Sequence, residues 1–200
     1  MCGQFEALLY LKMLEKKLEA EAETRKVLPG DAADILVHNG ESGQVEAVQA
    51  RFGLVPHWYR GGFRDFKGTT FNARIETAAE KPAFKGPWRY RRCIVPAVSF
   101  TENSGPKHGR QNWRITRADR QPMGFAALWD EALLTEGDLT SFTILTRPAG
   151  ADMAAIHERE PVILPVERWD DWMLRRDVDL LNYTPLDLAC QNEMVQPSLF

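Results

Sequence analysis

Short β-rich segments, separated by turn residues, occupy most of the chain from residue 34 to residue 164 and limit its fold more than any other feature. The segment 34–38 ends at Asn39-Gly40, a pair that favours a tight hairpin, and residues 44–54 alternate enough to form the returning strand. Further strands are predicted at residues 91–102, 113–116, 124–129, 142–146 and 161–164, with a short helical turn at 148–155. Short strands joined by such turns predict an antiparallel, barrel-like sheet.

The two ends of the chain carry helical patterns instead. Residues 5–25 predict a helix that ends before Pro29-Gly30, because leucines recur near helical spacing with Glu and Lys between them. The leucines expected in the core are Leu8, Leu9, Leu11, Leu14 and Leu18. Residues 166–174 predict a second helix that buries Trp169, Trp172 and Met173, and an irregular or helical tail follows from about residue 177, fraying from Gln191. The predicted class is α+β: one domain over residues 1–200, with a mostly antiparallel, barrel-like β core flanked by helices.

The composition is that of a soluble globular protein, with 44% hydrophobic and 26% charged residues in a chain of 200. No segment is apolar for long enough to span a bilayer, and Glu6 and Lys12 interrupt the only apolar stretch where a secretory signal would lie. Cys2, Cys93 and Cys190 are odd in number and irregular in spacing, so they predict neither a disulfide framework nor a zinc site. We therefore expect a monomer in the reducing cytoplasm, with no metal ion, no cofactor and no membrane partner.

Positive charge is concentrated in the middle of a chain whose net charge is −3. Residues 51–92 carry 10 basic and 3 acidic side chains, whereas residues 1–50 carry 5 and 9 and residues 93–200 carry 10 and 16. This distribution predicts a local positive patch, for which nucleic acid is the natural partner. Pairing with acidic residues from elsewhere in the chain explains the same charge equally well.

Part of this positive charge lies in residues 56–70, a stretch rich in glycine that predicts a flexible loop. Its aromatic residues alternate with Arg and Lys, an arrangement suited to stacking on bases and holding phosphates. The candidate DNA-binding residues in this loop are Trp58, Arg60, Arg64 and Lys67. The alternative, supported nearly as well, is that the aromatic side chains pack into the core.

The first three residues, Met1-Cys2-Gly3, contain the candidate nucleophile, Cys2. Removal of Met1 would give Cys2 an α-amine and a thiol on adjacent carbons, with pKa values near ~8 and ~8.5 in model peptides. An aldehyde can condense with the amine to a Schiff base, and the thiol can then close on the imine carbon to give a thiazolidine. Alternatively, the thiolate attacks a carbonyl with its own amine as the base.

Three later segments accompany this terminus: 71–77, 93–102 and 156–164, which contain Asn72, Glu102 and His157 respectively. The ordered set, together with residues 53–58 and 79–84, resembles the SOS-response-associated peptidase (SRAP) family from Cys2 to about Trp172. Members of that family covalently capture abasic sites in single-stranded DNA. The resemblance implies an SRAP-like fold, release of Met1 by the protein itself, and abasic single-stranded DNA as the partner, with the protein at the nucleoid when it acts.

The resemblance also implies roles for individual residues. The catalytic set would be Cys2, Asn72, Glu102 and His157, and the residues that line the site or clamp its phosphates would be Arg74, Thr146 and Arg159. A carboxyl suits the proton transfer that opens the sugar to its aldehyde, and an imidazole titrates near neutral pH. The amide of Asn72 would hold the amine or a sugar oxygen. Guanidinium groups bind phosphates through a planar fork of donors.

Three residues depart from the family pattern. Gln4 stands where members usually have Arg, Asn103 follows Glu102 where many have Trp, and Glu160 stands where Met is frequent. Each change is expected to weaken attraction to a phosphate backbone, because that attraction is largely ionic.

Two other functions fit parts of the sequence. Met-Cys-Gly also begins glutamine amidotransferase domains, in which the cysteine attacks the side-chain amide of glutamine. A module that binds single-stranded DNA and in which Cys2 is inert would account for the positive segment without any catalysis.

Overall fold

The computed structural model describes residues 2–8, 24–106, 109–176, 178–180 and 186–193, which form twelve strands and three short α-helices. The strands are β1 Phe5–Leu8, β2 Thr24–Val27, β3 Ala32–His38, β4 Val45–Phe52, β5 Asn72–Arg74, β6 Arg92–Ser104, β7 Gln111–Arg117, β8 Met123–Leu134, β9 Gly137–Pro148, β10 Arg159–Pro161, β11 Ile163–Leu164 and β12 Leu188–Glu193. The helices are α1 Ile75–Ala78, α2 Pro82–Tyr90 and α3 Trp169–Met173.

Five strands close into a barrel in the order β8, β9, β4, β3 and β6, with β6 pairing back to β8. Every pairing around this ring is antiparallel except that between β4 and β9. The predicted mostly antiparallel, barrel-like core is therefore confirmed. The hairpin predicted around Asn39-Gly40 is the β3–β4 pair, in which Ala32 opposes Arg51 and His38 opposes Val45.

Apolar side chains fill the barrel and cover one of its outer faces. Five phenylalanines inside the barrel, Phe5, Phe52, Phe100, Phe125 and Phe142, are at most 1% exposed. Most of their ring contacts are edge-to-face, and such contacts add to the free energy gained by burying apolar area. A second core lies under α2 and α3, where Trp88 packs edge-on against Trp172.

Strand direction brings several chain segments to one end of the barrel. Both β6 and β9 run antiparallel to β8, so their carboxyl ends lie at the same end. Because β1 and β10 run antiparallel to β6 and β9, their first residues lie at that end as well. The strand β5 runs parallel to β9 and finishes there too. We call this end of the barrel the site end.

The N-terminal helix prediction is wrong at both of its ends. Residues 5–8 form β1 and residues 24–27 form β2, and the two strands pair with Phe5 opposite Val27. Leu9, Leu11, Leu14 and Leu18 lie outside the described residues. Pairing with β6 gives the backbone of residues 5–7 a ladder of partners, so tertiary context overrides the leucine periodicity.

The prediction of an irregular or helical tail is wrong for the last residues that the structure describes. Residues 188–193 form β12, a strand that pairs with β7 along its whole length, rather than a helix or a frayed end. The helix predicted at 166–174 is present as a 3-10 turn followed by α3, with Trp172 and Met173 buried and Trp169 partly buried. Among the described residues, no helix is long and apolar enough to cross a membrane.

Candidate active site

Backbone pairing brings Cys2 to the carboxyl end of β6. The amide of Thr101 donates to the carbonyl of Gln4 at 3.0 Å, and the side-chain amide of Gln4 donates to the Thr101 hydroxyl at 3.2 Å. These bonds extend the β1–β6 pairing toward the terminus and set it beside Glu102. Cys2 is 1% exposed and Glu102 4%, so the thiol and the carboxyl are both enclosed at the site end.

A β-bulge in β6 aims Glu102 into the barrel. Glu6 opposes Ser99 and Ala7 opposes Ala97, which leaves Val98 as an extra residue. Before the bulge the inward positions are Cys93, Val95 and Ala97, and after it they continue from Phe100. Side chains alternate between the two faces of a strand, so Glu102 points inward only because of the extra residue.

The thiol of Cys2 is held in its protonated form. Burial raises its pKa well above the ordinary value, and the negative charge of Glu102 raises it further. The thiol also contacts the carbonyl of Gln4 at 3.8 Å. A thiol in this environment reacts when a nearby base takes its proton, because the free thiolate is scarce at neutral pH.

We expect Glu102→Gln to increase the alkylation rate of Cys2 by iodoacetamide about tenfold near neutral pH, because a lost negative charge favours the thiolate. Peptide mapping would report the alkylation rate of Cys2. Intact mass would establish beforehand that the compared proteins have the same N-terminus. The variant Glu131→Gln, which changes an exposed carboxyl of β8, is the control. Equal rates for wild type and Glu102→Gln would show that the carboxylate has no influence on the thiol.

Asn72 presents an amide to the same interior. It opposes Ile144 across the β5–β9 pair, and directly opposed residues lie on the same face, so Asn72 faces the barrel core as Ile144 does. Both polar atoms of its side chain are buried and have no hydrogen-bond partner among the described residues. An unpaired buried amide is costly, which points to a ligand or a reactive group as its partner.

The next positions along this pair, Arg74 and Thr146, also oppose each other on the inner face. Arg74 is exposed, whereas Thr146 is fully buried, with its hydroxyl 3.5 Å from the Ala73 carbonyl. Arg74 therefore places a cation that is accessible to solvent at the edge of the site.

His157 enters the site end from a turn that follows β9. Its amide donates to the carbonyl of Met153 at 2.9 Å, and the Met153 side chain is anchored in the barrel core. The amide of Arg159 donates to Nδ1 of His157 at 2.9 Å. The carbonyl of Arg159 lies 3.1 Å from the same nitrogen, so backbone groups of one residue hold Nδ1 and set the position of the ring.

Arg159 is held by other protein groups. Its terminal nitrogens donate to both carboxylate oxygens of Glu76, at 2.6 and 2.9 Å, and to the carbonyl of Thr146 at 2.6 Å. These hydrogen bonds lower the pKa of Glu76. Arg159 and Glu76 thus form an ion pair at the site end. A phosphate would have to share or displace Glu76.

The expected effect of Glu160 on DNA attraction needs correction. Glu160 is 4% exposed and accepts two hydrogen bonds from the guanidinium of Arg147, at 2.8 and 2.7 Å, and one from the Gly150 amide at 2.9 Å. Arg147 is itself 5% exposed. The charge of Glu160 is neutralised inside the protein and does not face an incoming phosphate. Sequence reasoning missed Arg147, because only the β9–β10 register brings it opposite Glu160.

The predicted loop at residues 56–70 does not join the site end as a whole. Tyr59, Phe63 and Phe66 pack in a small core near the β8–β9 turn, so for these aromatics the packing alternative is confirmed. Leu139 in that core lies about 20 Å along β9 from Thr146.

The polar members of this loop bond mainly to the loop itself. Arg60 donates to the carbonyls of His57 and Tyr59, and Lys67 donates to the carbonyl of Arg64. Trp58 is 52% exposed beside the start of α2, with its indole nitrogen 3.5 Å from the Pro82 carbonyl. DNA contact by Trp58, Arg60, Arg64 and Lys67 stays a prediction.

Within the described part of the chain, no group of three His, Cys, Asp or Glu side chains is arranged to hold a metal ion. The site end instead combines a thiol, a carboxyl, an amide and an imidazole. The fold and these side chains are those of a small β-barrel protein whose candidate site is centred on a cysteine near the start of the chain.

The chain belongs to the SOS response associated peptidase (SRAP) family, whose model matches residues 1–195. Among curated proteins it is 33% identical over 156 residues to the abasic site processing protein YoqW of Bacillus subtilis, covering 76% of this chain and 67% of that protein. It is 29% identical over 184 residues to the abasic site processing protein YedK of Escherichia coli, covering 86% and 79%. A solved structure from Bordetella bronchiseptica superposes with a TM-score of 0.79 at 28% identity, covering 96% of this chain and 99% of that one.

Proposed function

We propose that this protein processes abasic sites in single-stranded DNA by covalent capture through Cys2, after removal of Met1. Its relatives YoqW and YedK are named abasic site processing proteins. The observation that carries the proposal is the enclosure of the Cys2 thiol beside the Glu102 carboxyl, where the charge of one acts on the pKa of the other.

The chemistry consumes no cofactor. The open-chain aldehyde of the abasic sugar takes the α-amine of Cys2, and loss of one water gives an imine. The thiol sulfur then bonds to the imine carbon, the C=N electron pair moves to nitrogen, and the thiol proton is transferred to that nitrogen. The product is a thiazolidine, with one water lost overall and no change of redox state.

Glu102 is positioned to move the protons. It would deliver a proton to the ring oxygen as the sugar opens, and would later relay the thiol proton to the imine nitrogen. Burial raises the pKa of the Cys2 thiol most, and the negative charge of the nearby Glu102 raises it further, so Glu102 would be the nearby base that such a thiol requires.

The other side chains would orient the substrate. The unpartnered amide of Asn72 would bind the amine or a sugar oxygen, and His157 would protonate the departing hydroxyl or steady the phosphate beside it. Arg74 would hold a neighbouring phosphate at the edge of the site, while Arg159 and Thr146 shape its wall. The same groups would cut the Met1-Cys2 bond if the chain processes itself, and the protein would then work in the cytoplasm on nucleoid DNA as a monomer.

Incubation with a single-stranded oligonucleotide containing one abasic site should give a covalent adduct. The mass of the adduct should equal the mass of the protein without Met1 plus the mass of the DNA, less the mass of one water. Glu102→Gln should slow adduct formation about 100-fold or more, because it removes the proton-transfer group and leaves the thiol in place. An oligonucleotide of the same sequence without the abasic site should give no adduct.

Different results would favour the other functions. Ammonia release from glutamine, without an adduct, would support an amidotransferase. Salt-sensitive DNA binding that is unchanged in Cys2→Ala and Glu102→Gln, again without an adduct, would support a non-catalytic binding module.

A further inference from the structure

Three exposed basic residues, Lys81, Lys85 and Arg89, form a stripe along α2. Residues four apart on a helix lie on the same side, so Lys85 and Arg89 follow one another about 6 Å apart along the helix axis, and Lys81, the capping residue directly before Pro82, continues the row. We call them the α2 stripe.

The α2 stripe does not contribute to packing. The helix buries a different side, on which Phe84, Pro87 and Trp88 contact the second core. Gly86 lies against the ring of His57, where an added Cβ would stand 3.5 Å from Cε1. The basic side chains point between these two contacts toward solvent.

Several other surface arginines form ion pairs within the chain. Arg114 pairs with Glu6, Arg117 with Asp119 and Arg176 with Asp171. No member of the α2 stripe forms an ion pair with any residue that the structure describes. Glu80 is the sole acidic residue between positions 77 and 92. Among the residues that the structure describes, the α2 stripe therefore presents positive charge to solvent without a paired acid.

The position of α2 connects the stripe to the active site. The exposed cation Arg74 precedes α1, and the amide of Lys81 donates to the carbonyl of Thr77 at the end of α1. At the other end of α2, the carbonyl of Arg91 accepts from Trp129, which opposes Phe142 well below Thr146 on β9. The α2 stripe therefore runs from the site end down the side of the barrel.

We infer that the α2 stripe binds successive phosphates of the DNA strand on one side of the abasic nucleotide, without regard to base sequence. This inference rests on the proposed function and names a surface beyond the catalytic end. Adjacent phosphates of an extended strand have a separation similar to that of the stripe's charges. Exposed Trp58 beside the first turn of α2 offers a face on which a base can stack.

The test compares the triple variant Lys81→Gln, Lys85→Gln, Arg89→Gln with wild type. Binding of a long single strand without an abasic site should weaken at least about tenfold at physiological salt. The slope of log affinity against log salt should fall in magnitude by about 2, as expected for three lost phosphate contacts. Equal affinities and slopes would overturn the inference. All three positions are exposed, so the thermal transition should not change.

A matched variant, Arg110→Gln, Arg120→Gln, Arg168→Gln, removes three exposed charges from other elements. This control variant should bind the strand with nearly the affinity of wild type. If it loses as much affinity as the stripe variant does, the effect comes from net charge alone. Adduct formation is measured separately on strands extended only 5′ or only 3′ of the abasic site. The stripe variant should slow capture on one of them only. Equal slowing on both would contradict the one-sided path, whereas absence of adducts from wild type would contradict the proposed function and not the binding surface.

Discussion

Alanine at position 2 is expected to abolish the heat-stable adduct with abasic DNA while leaving formation of the Schiff base intact. The Cys2→Ala protein is prepared with alanine as its first residue, so its α-amine remains and an imine forms, but no thiol closes on it and the imine hydrolyses. A denaturing gel should show no band without a reductant and a clear band after trapping with borohydride. Serine should behave in the same way, because its hydroxyl is a much weaker nucleophile than a thiol.

Cys93→Ala is the matched control, since Cys93 is also a fully buried cysteine of the barrel core but lies near the amino end of β6, away from the site end. It should form the adduct at the rate of wild type without a reductant. A heat-stable adduct from Cys2→Ala without borohydride would exclude the thiazolidine. Loss of both bands in both variants would indicate a folding defect, which circular dichroism would reveal.

Replacing Glu160 with methionine, the residue frequent in the family, is expected to destabilise this protein by about 3–5 kcal/mol. The change leaves the buried guanidinium of Arg147 without the carboxylate that accepts two of its hydrogen bonds. It also removes the acceptor of the Gly150 amide, at the start of the turn that carries His157. Chemical denaturation would measure the loss of unfolding free energy. DNA affinity should not rise in the folded fraction, because the charge of Glu160 is already neutralised.

Two further variants separate the causes. The double variant Arg147→Met, Glu160→Met should regain most of the lost stability, since replacing both members of a buried pair with apolar residues is often neutral. Asp119→Asn breaks a surface pair with Arg117 and should leave the free energy of unfolding nearly unchanged, because solvent screens exposed ion pairs. A cost for Glu160→Met as small as that for Asp119→Asn would show that the buried pair adds no stability.

Local sequence signals predicted the parts of the fold that depend on neighbouring residues. Asn39-Gly40 identified the β3–β4 hairpin, and the alternating segments identified the strands of the barrel. The helix predicted over residues 5–25 and the irregular tail from residue 177 failed where strands at the chain ends pair with β6 and β7, which are remote in sequence. Periodicity alone carries no information about such partners.

The residue types of the site could be read from the sequence, but their surroundings could not. The Met1-Cys2-Gly3 start suggested aldehyde chemistry, and the resemblance to the family added Asn72, Glu102 and His157. Neither the burial of the Cys2 thiol, nor the pairing of Arg159 with Glu76, nor the neutralisation of Glu160 by Arg147 leaves a local signal. Each depends on strand register, which is fixed only when the barrel closes.

Because of the extra residue at Val98, the orientation of Glu102 depends on the number of residues in β6 rather than on the side chain at position 98. Substitutions at that position change one partly exposed side chain, whereas loss of a single residue between Ala97 and Phe100 would turn Glu102 outward and leave most of the sheet intact. Within this lineage, insertions and deletions in that short span should therefore be much rarer than substitutions. A descendant that lost the extra residue would keep the architecture and have no acid group facing its N-terminal cysteine.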